Sequence, residues 1–150
     1  MKRVVITGIG IYSCIGSNIN EVTNSLRNGI SGVIFDKNRE EFGYKSTLTG
    51  NLINPNLKEH LSRRQRISIG QECGFAYVST LEALNNARIN QEFLNKNEVG
   101  IIYGNDSTAQ SVIESVDKIR EKKDTALVGS GAIFKAMNST ISMNLSTIFK

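Results

Sequence analysis

The sequence predicts an α/β layer, a mostly parallel sheet flanked by helices, and three observations carry that expectation. Arg3 to Thr7 is β-branched and apolar without alternation, the pattern of a strand covered on both faces. Val99 to Tyr103 is a second such run, and each is followed at once by a glycine, Gly8 and Gly104. Segments of helical periodicity stand between and after them, so the order strand, helix, helix, strand, helix suits a parallel sheet with helices on its faces.

Taken in chain order, Asn18 is placed as an N-cap with Glu21 three residues on, and Gly29 follows Asn28 as a stop. This predicts a short helix over 19–28 that turns Val22 and Leu26 inward. Ser31 to Pro55 reads as irregular and polar, with a strand near 46–52. Ser62 with Gln65 forms a capping-box pattern, and Ile69, Cys73, Ala76, Leu84 and Ala87 follow at helical spacing. One long helix from Arg63 to about Ala87 is expected, with Gly70 and Gly74 marking a close approach. A helix near Thr108–Lys122 comes next, then a stripe of Ile133, Met137, Ile141, Leu145 and Ile148 predicting a last helix. No repeat or linker divides the 150 residues, so a single domain is expected. Apolar residues run up to Phe149-Lys150 without a glycine, asparagine or proline stop, as in a chain cut before its fold is complete.

Composition bounds the function. With 39% hydrophobic and 21% charged residues the chain is ordinary for a globular protein and long enough to bury a core. A formal charge of +4 suits an acidic partner. Because basic residues are interleaved with acids, as in Lys118 to Asp124, no nucleic-acid stripe is expected. Two cysteines and one histidine make neither a disulfide framework nor a metal site, and no cofactor is expected. The basic start with its apolar run to Ile15 resembles a signal peptide, but Thr7, Gly8 and Gly10 interrupt it. No segment has the length to span a membrane, and the expected setting is reducing and cytoplasmic.

Several motifs invite chemistry. Gly8-Ile-Gly10 after a strand suggests dinucleotide binding, but that fingerprint needs a glycine where Ser13 stands and an acid about twenty residues on. A tight turn is the better reading. Arg63, Arg64 and Arg66 in a first helical turn oppose the helix dipole, at a cost of roughly a few tenths of a kcal/mol each. Sequences break such rules where function asks for it, and arginines at a helix start cradle phosphates or carboxylates; a solvated charged face is the alternative. Lys122 and Lys123 form a second basic pair, flanked by Glu121 and Asp124. Cys14 and Cys73 read as inert packing residues and His60 as a surface residue. Asn105-Asp-Ser-Thr108 follows a strand at its carboxyl end, where open sheets place ligands, although Asp106 and Ser107 also suit a helix cap.

The opening Lys2-Arg-Val-Val-Ile-Thr-Gly-Ile-Gly10 with Ser13 and Gly16 resembles the start of β-ketoacyl-acyl-carrier-protein synthases, of the thiolase superfamily. Further pieces lie in order along the whole chain. They are Leu26-Arg-Asn-Gly29 with Ser31-Gly32, Arg66, Leu81-Glu-Ala-Leu84, Val99-Gly100 with Gly104, Lys135-Ala-Met137, and Leu145 to Lys150. The synthase I type is the nearest in wording. The resemblance implies a thiolase-like layered fold, of which residues 1–150 are the N-terminal half, ending before the nucleophilic cysteine. It implies decarboxylative Claisen condensation of acyl and malonyl thioesters in fatty acid biosynthesis, performed by a cysteine thiolate and two histidines that this chain does not supply. No catalytic residue is therefore assigned, and the chain alone is expected to be inactive.

What carries over is docking. Arg63 and Arg66 fall on family positions that contact the acidic acyl carrier protein, and Lys122 and Lys123 lie near a second basic docking segment. Asn105, Asp106, Ser107 and Thr108 stand where the family has a glycine-rich loop beside the acyl pocket, and their side chains would narrow or repolarise it. The full-length protein is expected to be a homodimer without nucleic-acid or membrane partners. The competing readings are a non-catalytic homologue resembling a chain-length factor, a polyketide-type ketosynthase subunit, and a bare module that grips a carrier.

Overall fold

The computed structural model describes residues 3–106 and 109–150. The chain divides into two compact units, the first running to Asn54 and including Val78–Arg88, the second holding Pro55–Tyr77 and Ile89–Lys150.

The first unit is built around glycines pressed onto a helix. Helix α1 spans Ile19–Arg27; the Asn18 side chain accepts from the Glu21 amide, as the cap pattern predicts. The Glu21 carboxylate reaches back to the amide and hydroxyl of Ser17, both at 2.7 Å, and these bonds hold its pKa below the usual carboxylate value. Gly29, at φ +64°, ends the helix. The inward face differs from expectation. Val22 is 6% exposed but Leu26 is 69% exposed, and the buried companion is Ser25, whose hydroxyl donates to the Ile15 carbonyl at 2.6 Å.

Strand β1 (Val33–Phe35) pairs antiparallel with β2 (Leu48–Gly50), Ile34 opposite Thr49. β2 lies within the strand expected near 46–52; β1, and the short helix α2 (Lys37–Glu41) capped by Asp36, fall in a stretch read as irregular. Helix α4 (Gln71–Asn86) contributes its second half to this unit. There Ile9 N donates to Asn86 Oδ1 at 3.1 Å and Ile11 N to Glu82 Oε2 at 2.8 Å, while Glu82 Oε1 accepts from Ile19 N at 2.8 Å.

Gly8 and Gly10 are required by this approach. A Cβ on Gly10 would lie 1.9 Å from the Ser79 carbonyl oxygen, and one on Gly8 would lie 2.3 Å from that of Ala83. The Gly-Ile-Gly sequence thus lets a main chain lie directly on a helix. The expected strand itself is not formed: residues 3–7 carry no sheet hydrogen bonds, and Val4 is 93% exposed.

In the second unit the single long helix expected from Arg63 is broken. Helix α3 is one turn, Arg63–Arg66, with the Ser62–Gln65 capping box in place, and α4 begins only at Gln71. The break has a tertiary cause. The Ser68 carbonyl, which a continuous helix would use internally, instead accepts from Asn144 Nδ2 at 3.2 Å. Helix α5 (Gln91–Lys96), capped by Asn90, was not foreseen; helix α6 (Ala109–Lys122) matches expectation from its second residue on.

The last apolar stripe is divided between α7 (Ala132–Lys135) and α8 (Thr140–Ile148). Only part of it is core, since Ile141 and Leu145 are 2% and 1% exposed whereas Ile133 is 66% and Met137 41% exposed. Leu61, Ile69, Cys73, Ala76 and Tyr77 complete the buried hydrophobic set of this unit, and the Tyr77 ring stacks on Phe149 at 5.6 Å. Val99–Tyr103 is extended and unladdered, with Ile102 fully exposed. The mostly parallel sheet is thus not formed among the described residues, where the one named sheet is the antiparallel β1–β2 pair. A covered strand needs neighbours on both edges, which these segments lack here.

Candidate docking surface

In the second unit a cleft opens beside the residue that follows α3, and its cations are Lys118 and Lys135. α3 displays Arg63 and Arg64 to solvent, while Arg66 is half-buried and its Nε donates to the Leu61 carbonyl at 3.1 Å. Ile67, the next residue, lines a cleft of about 310 Å³ together with Glu114 and Lys118 of α6, Leu127, Gly131 and Lys135. Gly131 lets the backbone come close there, since a Cβ on it would lie 2.9 Å from Ile67. Lys122 stands one helical turn beyond Lys118 on α6, and the cleft lining itself includes none of Arg63, Arg66, Lys122 and Lys123.

The cations differ in availability. Lys122 is ion-paired with Glu121. Among the described residues Arg63, Arg64, Arg66 and Lys123 form no ion pair. Lys123 closes α6 in the left-handed conformation, φ +52°, its amide donating to the Ile119 carbonyl at 2.8 Å. A residue with a Cβ is strained there, although a cation at a helix C-terminus also meets the negative end of the dipole.

The arginines were expected in the first turn of a long helix, against its dipole. A four-residue turn has almost no macrodipole to oppose and is too short to offer an anion-binding N-terminus. What remains is the positive charge of the guanidinium groups themselves.

Lys118 and Lys135 were missed. They lie 17 positions apart in sequence, and nothing in a spacing pattern announces that two helices will turn them toward one cleft.

Of the loop expected beside an acyl pocket, Asn105 is half-buried and Asp106 exposed, while Ser107 and Thr108 lie outside the described residues. The loop lines neither the basic cleft nor a second, more apolar cleft of about 500 Å³ bordered by Leu94, Val99, Ile101, Met143 and Phe149.

The cysteines have packing environments. Cys73 is 0% exposed, and burial, with a smaller contribution from the Glu72 charge, pushes its thiol up to about 12, which removes the thiolate a nucleophile needs. Cys14 is half-buried beneath Gly32 and Gly50, where a Cβ on Gly32 would lie 2.2 Å from the Cys14 carbonyl oxygen. His60 is exposed, its ring tilted toward Tyr77 at 6.2 Å. No helix among the described residues is long and apolar enough to cross a membrane.

Residues 1–150 match the family described as "Beta-ketoacyl synthase, N-terminal domain". Over its whole length the chain is 40% identical to a 3-oxoacyl-[acyl-carrier-protein] synthase 1 of Buchnera aphidicola subsp. Schizaphis graminum, covering 37% of that protein. It is 36% identical to the protein of the same name from Buchnera aphidicola subsp. Baizongia pistaciae, again over all of this chain and 37% of the relative. Among solved structures a β-ketoacyl synthase from Burkholderia phymatum superposes with a TM-score of 0.83 at 25% identity, over 99% of this chain and 37% of that one. The chain thus spans about a third of the length of the proteins it matches.

Proposed function

Because the chain belongs to the family of β-ketoacyl synthase N-terminal domains, we propose that it serves as the N-terminal part of a 3-oxoacyl-[acyl-carrier-protein] synthase of fatty acid biosynthesis. The observation that carries this reading is the match of the whole chain to synthases of that name. In the reaction an acyl group passes from its carrier thioester to a cysteine thiolate. Malonyl-carrier thioester then loses carbon dioxide, and the resulting carbanion attacks the acyl thioester carbonyl and expels the cysteine sulfur. The burial of Cys73 and the packing of Cys14 support a chain whose own share is scaffold and docking, without the nucleophile.

In this reading Arg63, Arg66, Lys122 and Lys123 attract the acidic carrier protein, and Asn105 to Thr108 border the acyl pocket. Lys118 and Lys135, which line the cleft between Ile67 and α6, support a basic docking face on this side of the unit. Residues 3–7 and 99–103 take up parallel strand positions when their neighbours are supplied, and their apolar exposure supports this, with Val4 at 93% and Ile6 at 84%. The whole protein acts in the cytoplasm as a homodimer.

Titration of the chain with acyl carrier protein by calorimetry tests the docking. Replacing Arg63, Arg66, Lys122 and Lys123 by alanine is expected to weaken binding about tenfold, the scale of a few exposed charge pairs. Unchanged affinity would overturn the assignment. Incubated with acyl and malonyl carrier thioesters, the chain alone is expected to release no carbon dioxide and form no 3-oxoacyl product.

A further inference from the structure

We propose that Asn144 is a positioning residue for the arginine turn α3 and thereby sets how firmly the chain grips an acidic carrier, an inference that rests on the docking reading above. A four-residue helix cannot hold its own geometry, and none of the residues of α3 is buried. Its orientation is therefore borrowed from what anchors its two ends. Before it, Leu61 is 5% exposed and its carbonyl accepts from Arg66 Nε at 3.1 Å. After it comes Ser68, which is clamped at both its side chain and its main chain by one amide. The Ser68 hydroxyl donates to Asn144 Oδ1 at 2.6 Å, and Asn144 Nδ2 donates to the Ser68 carbonyl at 3.2 Å.

The two hydrogens of the same Nδ2 are shared with α8 as well, where the carbonyl of Thr140 lies at 2.8 Å and its hydroxyl at 3.1 Å. Asn144 is 6% exposed and Thr140 0%. A buried amide between the core residues Ile141 and Leu145 is a poor choice for burial alone. Its value lies in specificity of arrangement, because two reciprocal bonds fix both where Ser68 sits and how the chain is turned there. Arg66 is two residues upstream, so rotation at Ser68 swings the guanidinium fan. Loss of the clamp lets Ser68 re-enter a helical path and merge α3 with α4, pointing Arg63 and Arg66 elsewhere.

Calorimetric titration with acyl carrier protein, at low and high salt, tests this on the wild-type chain and on Asn144→Leu, Ser68→Ala and Arg63→Ala/Arg66→Ala, singly and combined. Asn144→Leu is expected to weaken binding about threefold at low salt, within the range of coupling between neighbouring sites. In that background the arginine substitutions should matter less than in wild type, and the difference should vanish at high salt, where exposed charges are screened. Ser68→Ala removes the hydroxyl's 2.6 Å bond to Asn144 Oδ1 and its long 3.5 Å contact with the Gln65 carbonyl, and should move affinity the same way; it decides the matter should Asn144→Leu not fold. Wild-type affinity in both variants, or losses strictly additive with those of the arginines, would overturn the positioning role and leave docking intact. An arginine double variant that binds as wild type would instead remove the docking reading, and this inference with it.

Discussion

Replacement of Gly10 by alanine isolates the contact on which the first unit is built. The added methyl would stand 1.9 Å from the Ser79 carbonyl oxygen, 2.7 Å from the Ala83 amide nitrogen and 2.9 Å from the Ser79 carbonyl carbon. All three are main-chain atoms of α4, so no flexible side chain can yield. An ordinary carbon to oxygen contact is above about 3 Å, so the segment must move by more than about 1 Å. Overpacking of this kind costs about 1–3 kcal/mol. The displacement also pulls the adjacent Ile11 amide from Glu82, a 2.8 Å bond to a half-buried carboxylate, and a hydrogen bond to a charged group contributes about 1.5–3 kcal/mol. Urea unfolding followed by circular dichroism should therefore show a loss of about 2.5–6 kcal/mol. Gly100→Ala is the control, because its Cβ would meet nothing within 4 Å, and it should lie within about 0.5 kcal/mol of wild type. A Gly10 variant destabilised by less than about 1 kcal/mol, or by no more than the control, would refute the claim that close approach dictates this glycine.

Two further outcomes follow from the same geometry. The Cys73 thiol has its pKa raised from 9.0 to about 12, mainly by burial, so the fold favours the neutral form. Its contribution to stability is fully present below pH 9 and is lost as pH rises through about 12; Tyr77, raised by burial in the same direction, adds to that loss. Wild type minus Cys73→Ala stability, measured from pH 7 to 11, should be flat at first and then fall, and a difference that stays level would contradict the burial argument. Lys123→Gly removes the strain of the left-handed closure of α6, and should raise stability by about 0.5–1 kcal/mol in thermal unfolding while weakening carrier binding. A loss of stability would show that the lysine is held there by the helix dipole or its own packing.

What the sequence discloses here is what local chemistry decides. Asn18 with Glu21, and Ser62 with Gln65, name their helix starts because the bonds they make join residues within one turn. The break after Arg66 is invisible for the opposite reason: its cause is an amide 76 positions away, at Asn144, competing for a carbonyl that local pattern assigns to a helix. Of the β1–β2 pair only β2 is foreshadowed, by the strand expected near 46–52; β1 escapes notice because three residues are shorter than any alternation that could betray it. Gly8 and Gly10 are conspicuous as letters, yet two readings, a turn and a landing on a helix, write the same residues. Ser79, Ala83 and Ala87, small and spaced four apart, are the trace of the second reading. The site divides along the same line. Arg63 and Arg66 are seen because they crowd one turn, whereas Lys118 and Lys135 join the cleft only through the packing of α6 on α7. The exposed strand-like runs at 3–7 and 99–103 follow the same rule, since composition there specifies what each residue seeks and the sheet that would satisfy it is a property of more than one segment.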